Sequence, residues 1–233
     1  MFKLIKLELK KFNVRIAVRL TIVISLFISV LCTSIPVLER MDTGSPGELF
    51  SDFPSAFEFI NIVNGTVFII FTAVLISKLV VYEFINKTVY QLFTYPVSHR
   101  KIMISKMVIA AGWTFSAVLA SSILSTLIFL IGNEFFLIIE GAVQIEVFLQ
   151  QTADLVILAL TSAGISLFPM FIAIKYQSTP AVLLSSIGIA AILNFNPSGT
   201  SLSMITIVPL SIAAVSAMLT YAAVLRLTYN DIF

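Results

Sequence analysis

The sequence predicts an all-α polytopic membrane protein with six membrane-spanning helices, and three observations predict it. Apolar residues fill 59% of 233 positions, charged residues only 11%, and the mean hydropathy is +1.06, far from the usage of soluble domains. Six apolar stretches approach the ~20 residues that cross a bilayer as a helix. Basic and acidic residues alternate from one connection to the next, as a multi-pass chain requires.

The first stretch, Ile16 to Val37, is preceded by Phe2, Ile5, Leu9, Phe12 and Ile16 at helical spacing, with Lys3, Lys6 and Lys10 on a neighbouring stripe. Residues 1–15 therefore read as an amphipathic helix lying in the inner interface, either a topology anchor or a frame for a docking surface. No small-residue cleavage site follows, so the first span is expected to stay in place. Cys32, the sole cysteine, falls inside it and reads as a packing residue, with no intrachain disulfide or thiolate cluster open to it.

The remaining stretches are Ile60 to Tyr82, Met107 to Ile131, Leu155 to Ile174, Pro180 to Leu193 and Met204 to Leu227. The fifth is short, and Asn194 to Thr200 beyond it reads either as a turn or as the tip of a re-entrant element. Pro169 and Pro209 sit within spans four and six, where proline kinks a helix and leaves carbonyls for neighbours to satisfy. Ser116, Ser121, Ser122, Ser125 and Thr126 in span three, with Asn61, Asn64 and Thr66 in span two, either pack helices closely or line a cavity. Lys78 lies near a span end, where it can snorkel.

Lys3, Lys6, Lys10, Lys11, Arg15, Arg19, Lys175 and Arg226 fall on one side of this arrangement. Glu39, Asp42, Glu48, Asp52, Glu58, Glu134, Glu140 and Glu146 fall on the other, with Arg40 the only base there. The positive-inside rule then makes both ends of the chain cytoplasmic. The outer connections, Leu38 to Phe59 and Phe135 to Leu149, are too short for domains, so residues 1–233 form a single membrane domain. A net charge of +2, with its bases beside the spans, offers no nucleic-acid surface.

Between spans two and three lies a polar island, Glu83 to Lys106, holding Lys87, Arg100, Lys101 and Lys106. Ile85, Val89 and Leu92 share one helical face, with Lys87 and Gln91 away from it. Pro96 ends that short helix at Tyr95, and Ser98 is placed to cap a second helix leading into span three. His99, Arg100 and Lys101 would then occupy a first turn, where the helix dipole opposes positive charge. Anionic headgroups or acidic groups on a docked protein would favour them there.

Glu83, the Lys87-Thr88 pair, Leu92, Pro96-Val97-Ser98, Arg100, Ile102 and Lys106 resemble the pattern of ABC-2 type transporter permeases. That pattern has a Glu leaving span two, a Gly-Thr or similar pair, Leu, Pro-Ile-Ser-Arg, and a Lys opening span three. Lys87 stands where Gly is common, and His99 is inserted beside the Arg. The basic start, six spans and the tail Tyr229 to Phe233 extend the resemblance more weakly over the chain. Within the family the chain is most similar to permeases of bacterial systems for bacitracin, lantibiotic or amphipathic-peptide export or immunity.

The resemblance implies a multi-pass protein of the bacterial plasma membrane that exports an amphiphilic peptide by alternating access. It implies a cytoplasmic ABC ATPase subunit carrying ATP and Mg, and a second permease, identical or related. It assigns the ATPase-coupling interface to Glu83, Lys87, Thr88, Tyr90, Leu92, Pro96, Ser98, His99 and Arg100. The sequence contains no G-x-x-x-x-G-K-[ST] phosphate loop, so hydrolysis and its cofactors are expected on the partner.

An intramembrane enzyme would need paired acids, H-E-x-x-H or a metal cluster at one depth, and the spans offer none; His99 is the sole histidine, and Asp154 lies at a span edge. An ion-coupled transporter would place acids near the span centres, which lack them. A membrane sensor or immunity subunit that binds peptide without moving it would use the same bundle. The 20 Phe suit either an amphiphilic cargo or lipid-facing packing.

Overall fold

The computed structural model describes residues 14–43, 52–85, 99–136, 139, 144–194 and 206–230. Among these the chain is helical: α1 (Val14–Thr43), α2 (Phe53–Ile76), a π turn (Ser77–Val81), α3 (Tyr82–Ile85), α4 (His99–Phe136), α5 (Ile145–Ile165), α6 (Phe168–Tyr176), α7 (Thr179–Leu193) and α8 (Ile207–Asn230). Five helical runs are long and apolar enough to cross a membrane, and α7 is a shorter apolar helix. The expected all-α multi-pass architecture is the observed one. The interfacial helix expected over 1–15 lies outside the described residues except for its last two positions, which open α1.

The helices run past the apolar stretches that announce them. α1 continues through Pro36 to Thr43, and the run from α2 to α3 starts at Phe53, ahead of Ile60. Hydropathy marks the lipid-immersed length, whereas backbone hydrogen bonding carries a helix on into the interface. Span four is broken. α5 stops at Ile165 and α6 starts at Phe168, with Pro169 in its first turn, where a missing N–H costs nothing. Pro209 was expected to kink span six, but α8 begins at Ile207, which places this proline in a first turn too.

The chain divides into two compact units. Of the described residues, one draws on Val67–Phe115 and Leu160–Phe233, the other on Arg15–Thr66 and Ser116–Ala159.

In the second of these, α1 carries a ladder of hydroxyls one helical turn apart, Thr21, Ser25, Ser29 and Thr33, each donating to the carbonyl four residues before it at 2.7–2.9 Å. Such back-bonding satisfies the hydroxyls within the helix and leaves a narrow face. α4 packs on it: Ser29 Oγ meets Ser125 Oγ at 2.9 Å, and Gly132 lies against Thr33. Asn64 of α2 accepts from Ser121 Oγ at 2.5 Å and donates to Ser125 Oγ at 3.4 Å and to Ile60 O at 2.9 Å. Asn61 and Gln151 exchange amide hydrogen bonds, and Phe57 meets Phe129 edge-on. Asn64, Ser121 and Ser125 are buried and joined to one another, the close packing that small polar residues allow between helices. Ile22, Val23, Phe27 and Val30 point outward from α1 into what a bilayer would fill.

In the first unit the core gathers Ile76, Leu79, Val80, Val81, Ile109, Ala110, Met170, Ala173, Ile174, Val182 and Val224. A buried hydroxyl cluster crosses three helical runs, with Thr114 Oγ1 2.8 Å from Thr72 Oγ1 and 3.1 Å from Ser166 Oγ. At the break between α5 and α6, Leu167 O accepts from Thr220 Oγ1 of α8 at 2.8 Å. The neighbour that a proline-disrupted span calls for is thus a threonine on the last helix.

Candidate coupling site

The ends of α3 and α4 flank residues 86–98 in sequence, and both carry charge. On the α3 side, the helix widens into the π turn, where Tyr82 N–H bonds Ser77 O instead of Lys78 O as a regular helix would. The extra residue shifts the face that follows, and it turns the Glu83 carboxylate inward. On the α4 side, Lys106 enters as one of the most deeply buried side chains of the chain.

The two meet. Lys106 Nζ forms a salt bridge with Glu83 Oε2, with the side chains 1% and 9% exposed. The same ammonium donates to Leu79 O, inside the π turn, at 2.7 Å. Leu79, Val80 and Val81 belong to the apolar core, and Phe84, Met103 and Met107 pack against it. With little water nearby, Coulomb attraction between such charges far exceeds that of a surface pair. A buried lysine needs an anion and further acceptors, and both are supplied here.

One and a half turns upstream of Lys106, Arg100 Nη2 donates to Tyr221 Oη of α8 at 2.9 Å, with its guanidinium 5.8 Å from the ring centre. Both groups are exposed. Positive charge in this first turn needs a favourable neighbour, for which lipid headgroups or a docked protein are the external candidates. For Arg100 the chain supplies a partner of its own, the phenol and π face of Tyr221. Lys101 stands exposed beside it, and Lys78 is exposed in the π turn.

Of the residues assigned to the coupling interface, Glu83 and Arg100 are placed with their side chains, and they are held by different partners. The described part of α4 opens at His99, and the His99 side chain lies outside the described residues. Lys87, Thr88, Tyr90, Leu92, Pro96 and Ser98 also lie outside them. Two participants were not foreseen. Lys106 was read as part of the family pattern without a role, and its one available signal was a lysine opening an apolar run. Tyr221 gave no signal, because a lone tyrosine in a span reads as an interfacial anchor. Among the described residues, no three His, Cys, Asp or Glu converge as a metal site.

This geometry coincides with the comparison to known proteins. A family model described as ABC-2 family transporter protein matches residues 4–198, a range that contains α1 through α7 and the whole of Glu83 to Lys106. The chain belongs to the ABC-2 transporter family. This ABC-2 permease is also 34% identical over 228 residues to the uncharacterized protein YcbO of Bacillus subtilis (strain 168), with 98% of this chain and 99% of that protein covered. A permease of this family is the membrane-spanning transport component of an ABC transporter, and ATP hydrolysis belongs to a separate subunit.

Proposed function

We propose that this permease is the membrane half of an ATP-driven exporter that moves an amphiphilic substrate, a peptide antibiotic or toxin, out of the cell or its membrane by alternating access. The observation that carries the reading is the family match across Glu83 to Lys106, the segment through which such a chain would meet its ATPase. The charge pattern supports a cytoplasmic position for that segment, in a bacterial plasma membrane, with both ends of the chain on the same side. ATP and Mg would reside on the partner. A second permease, a copy of this chain or a relative, would complete the pathway.

The mechanism follows from what the chain itself supplies. Closure of the ATPases on ATP displaces residues 86–98, and α3 and α4 receive that displacement at their ends. Buried hydroxyl and amide contacts hold the helices within each unit together, so the motion passes as tilting and not as local bending. The broken α5–α6 run is the exception, since its backbone is interrupted at Ser166 and Leu167.

The test is co-purification of the permease in nanodiscs with the ATPase encoded beside it, followed by reconstitution with amphipathic peptides. Peptide-stimulated ATP hydrolysis and peptide movement against a gradient are expected. If no ATPase binds, the exporter reading fails. If cells stay protected from peptide when the partner's hydrolysis is abolished, the chain is instead a subunit that sequesters peptide.

A further inference from the structure

The Glu83–Lys106 pair is an unusual expense for stability alone. A buried ion pair is often no better for folding than apolar residues of the same volume, because both charges give up their water. The best-attested service of such a pair is to fix the register between two elements. Here the elements are the last turn of the α2–α3 run and the second turn of α4, and they bracket residues 86–98 in the chain.

A second observation concerns where the ammonium is anchored. Lys106 reaches past Glu83 to Leu79 O, a main-chain group in the π turn. π turns are rare, occur mostly as single-turn bulges inside α-helices, and are frequent at functional sites. A third is the Arg100 contact with Tyr221, which ties the first turn of α4 to α8. Within this unit, α4 therefore opens with two successive ties, one inward to the π turn and one across to the last helix.

We propose that Lys106 is the positioning residue of the coupling segment. Its ammonium clamps the π turn through Leu79 O and Glu83, so that a push on residues 86–98 moves the end of α3 and the start of α4 as one body. Arg100 then passes the motion to α8. The π turn is the element that yields when the clamp opens. This role rests on the reading of the chain as an ATP-driven permease.

Removing one charge alone would strand the other in the core, so the decisive variant removes both: Glu83→Gln with Lys106→Met, which keeps volume and leaves no buried ion. Amide exchange over residues 77–85 is measured by mass spectrometry on the permease alone in nanodiscs, and transport per ATP hydrolysed is measured on the complex. At least tenfold faster exchange confined to this stretch is expected, together with at least a tenfold loss of transport per ATP while the ATPase still co-purifies. Unchanged exchange overturns the clamp. Faster exchange with wild-type transport per ATP overturns the positioning role and leaves a purely structural contact. If the wild-type permease binds no ATPase at all, the exporter reading falls and the positioning role falls with it, whereas the exchange result still reports on the clamp.

Discussion

Gly164 of α5 and Ala213 of α8 touch so closely that a methyl group on Gly164 would sit 2.6 Å from Ala213 Cβ and 3.2 Å from its Cα. No side-chain rotation relieves that contact, because the obstacle includes the backbone of α8. Gly164→Ala is expected to cost about 1–3 kcal/mol through helix displacement, read as unfolding in a mixed-detergent titration. Ala213→Gly on the same background should recover only part, since the α8 backbone remains in the way. Full recovery would mean that the helices are not held at this spacing.

Gly132 and Thr33 make a similar approach with a different expected outcome. A methyl group on Gly132 would lie 2.6 Å from Thr33 Cγ2, with Thr33 Cβ at 4.0 Å. Thr33 could rotate this methyl away, but its hydroxyl would then leave Ser29 O. Gly132→Ala should thus cost about 1 kcal/mol, of the order of one hydrogen bond. Thr33→Ser, which deletes Cγ2 and keeps the hydroxyl, should restore nearly all of it. A double-mutant cycle with no coupling between the two positions would contradict the contact.

Adjacent serines in α4 should respond with opposite signs. Ser121 Oγ donates to Asn64 Oδ1 at 2.5 Å, whereas Ser122 Oγ is buried with no hydrogen-bond partner among the described residues. Ser121→Ala is expected to destabilise the protein by about 0.6 kcal/mol, up to about 1.7, the range of interhelical hydrogen bonds in membranes. Ser122→Ala should be neutral or stabilising by up to about 1 kcal/mol, because it removes an unsatisfied polar group. Equal losses at the two positions would show that Ser122 has a role the hydrogen-bond pattern does not reveal.

The contrast between these serines also shows how far the sequence can be read. Apolar run length announced the spans, since hydrocarbon thickness is a constraint acting on each residue in turn. Helix ends were less legible: Pro209 looked like a kink only while α8 was assumed to begin near Met204, and a start at Ile207 makes it an ordinary first-turn proline. The candidate coupling site was half legible. Glu83 and Arg100 stood out as charges on either side of Pro96 in the sequence, but their partners lie 23 and 121 residues away in the chain, and pairing at that range is set by packing. The π turn that aims Glu83 inward left no mark in composition, because Ser77, Lys78, Leu79, Val80 and Val81 suit an α-helix as well. The hydroxyl ladder of Thr21, Ser25, Ser29 and Thr33 was present at regular helical spacing and could have been found by looking for polar periodicity inside an apolar run.

Gln177 closes α6 in the left-handed region, with φ 48° and ψ 31°, and its N–H bonds Ala173 O at 3.0 Å. A side chain here costs about 1–2 kcal/mol against its own backbone, a strain that glycine would lack. Gln177→Gly should therefore stabilise the protein by about 0.5 kcal/mol after the greater freedom of glycine in the unfolded chain is set against the relief. Gln177→Val should destabilise by more than about 1 kcal/mol, because a β-branched residue fits this region worst. Equal stability of the Gly and Val variants would show that the turn relaxes out of this conformation.

The positive-inside rule predicts an orientation for the chain that is open to a direct measurement. Acids dominate the connection that contains Ser45, whereas bases dominate the one that contains Ser98. The positive-inside rule places the first outside and the second in the cytoplasm. Cys32, the only native cysteine, is 1% exposed within α1, so a membrane-impermeant maleimide should leave it unmodified. In intact cells, Ser45→Cys is expected to label at once, and Ser98→Cys only after the membrane is permeabilised. The reverse pattern would put residues 86–98 outside the cell, where no ATPase could reach them, and the exporter mechanism would have to be abandoned. Labelling of both sites in intact cells would instead mean an even number of crossings between them, which conflicts with the run from Phe53 to Ile85 as a single span.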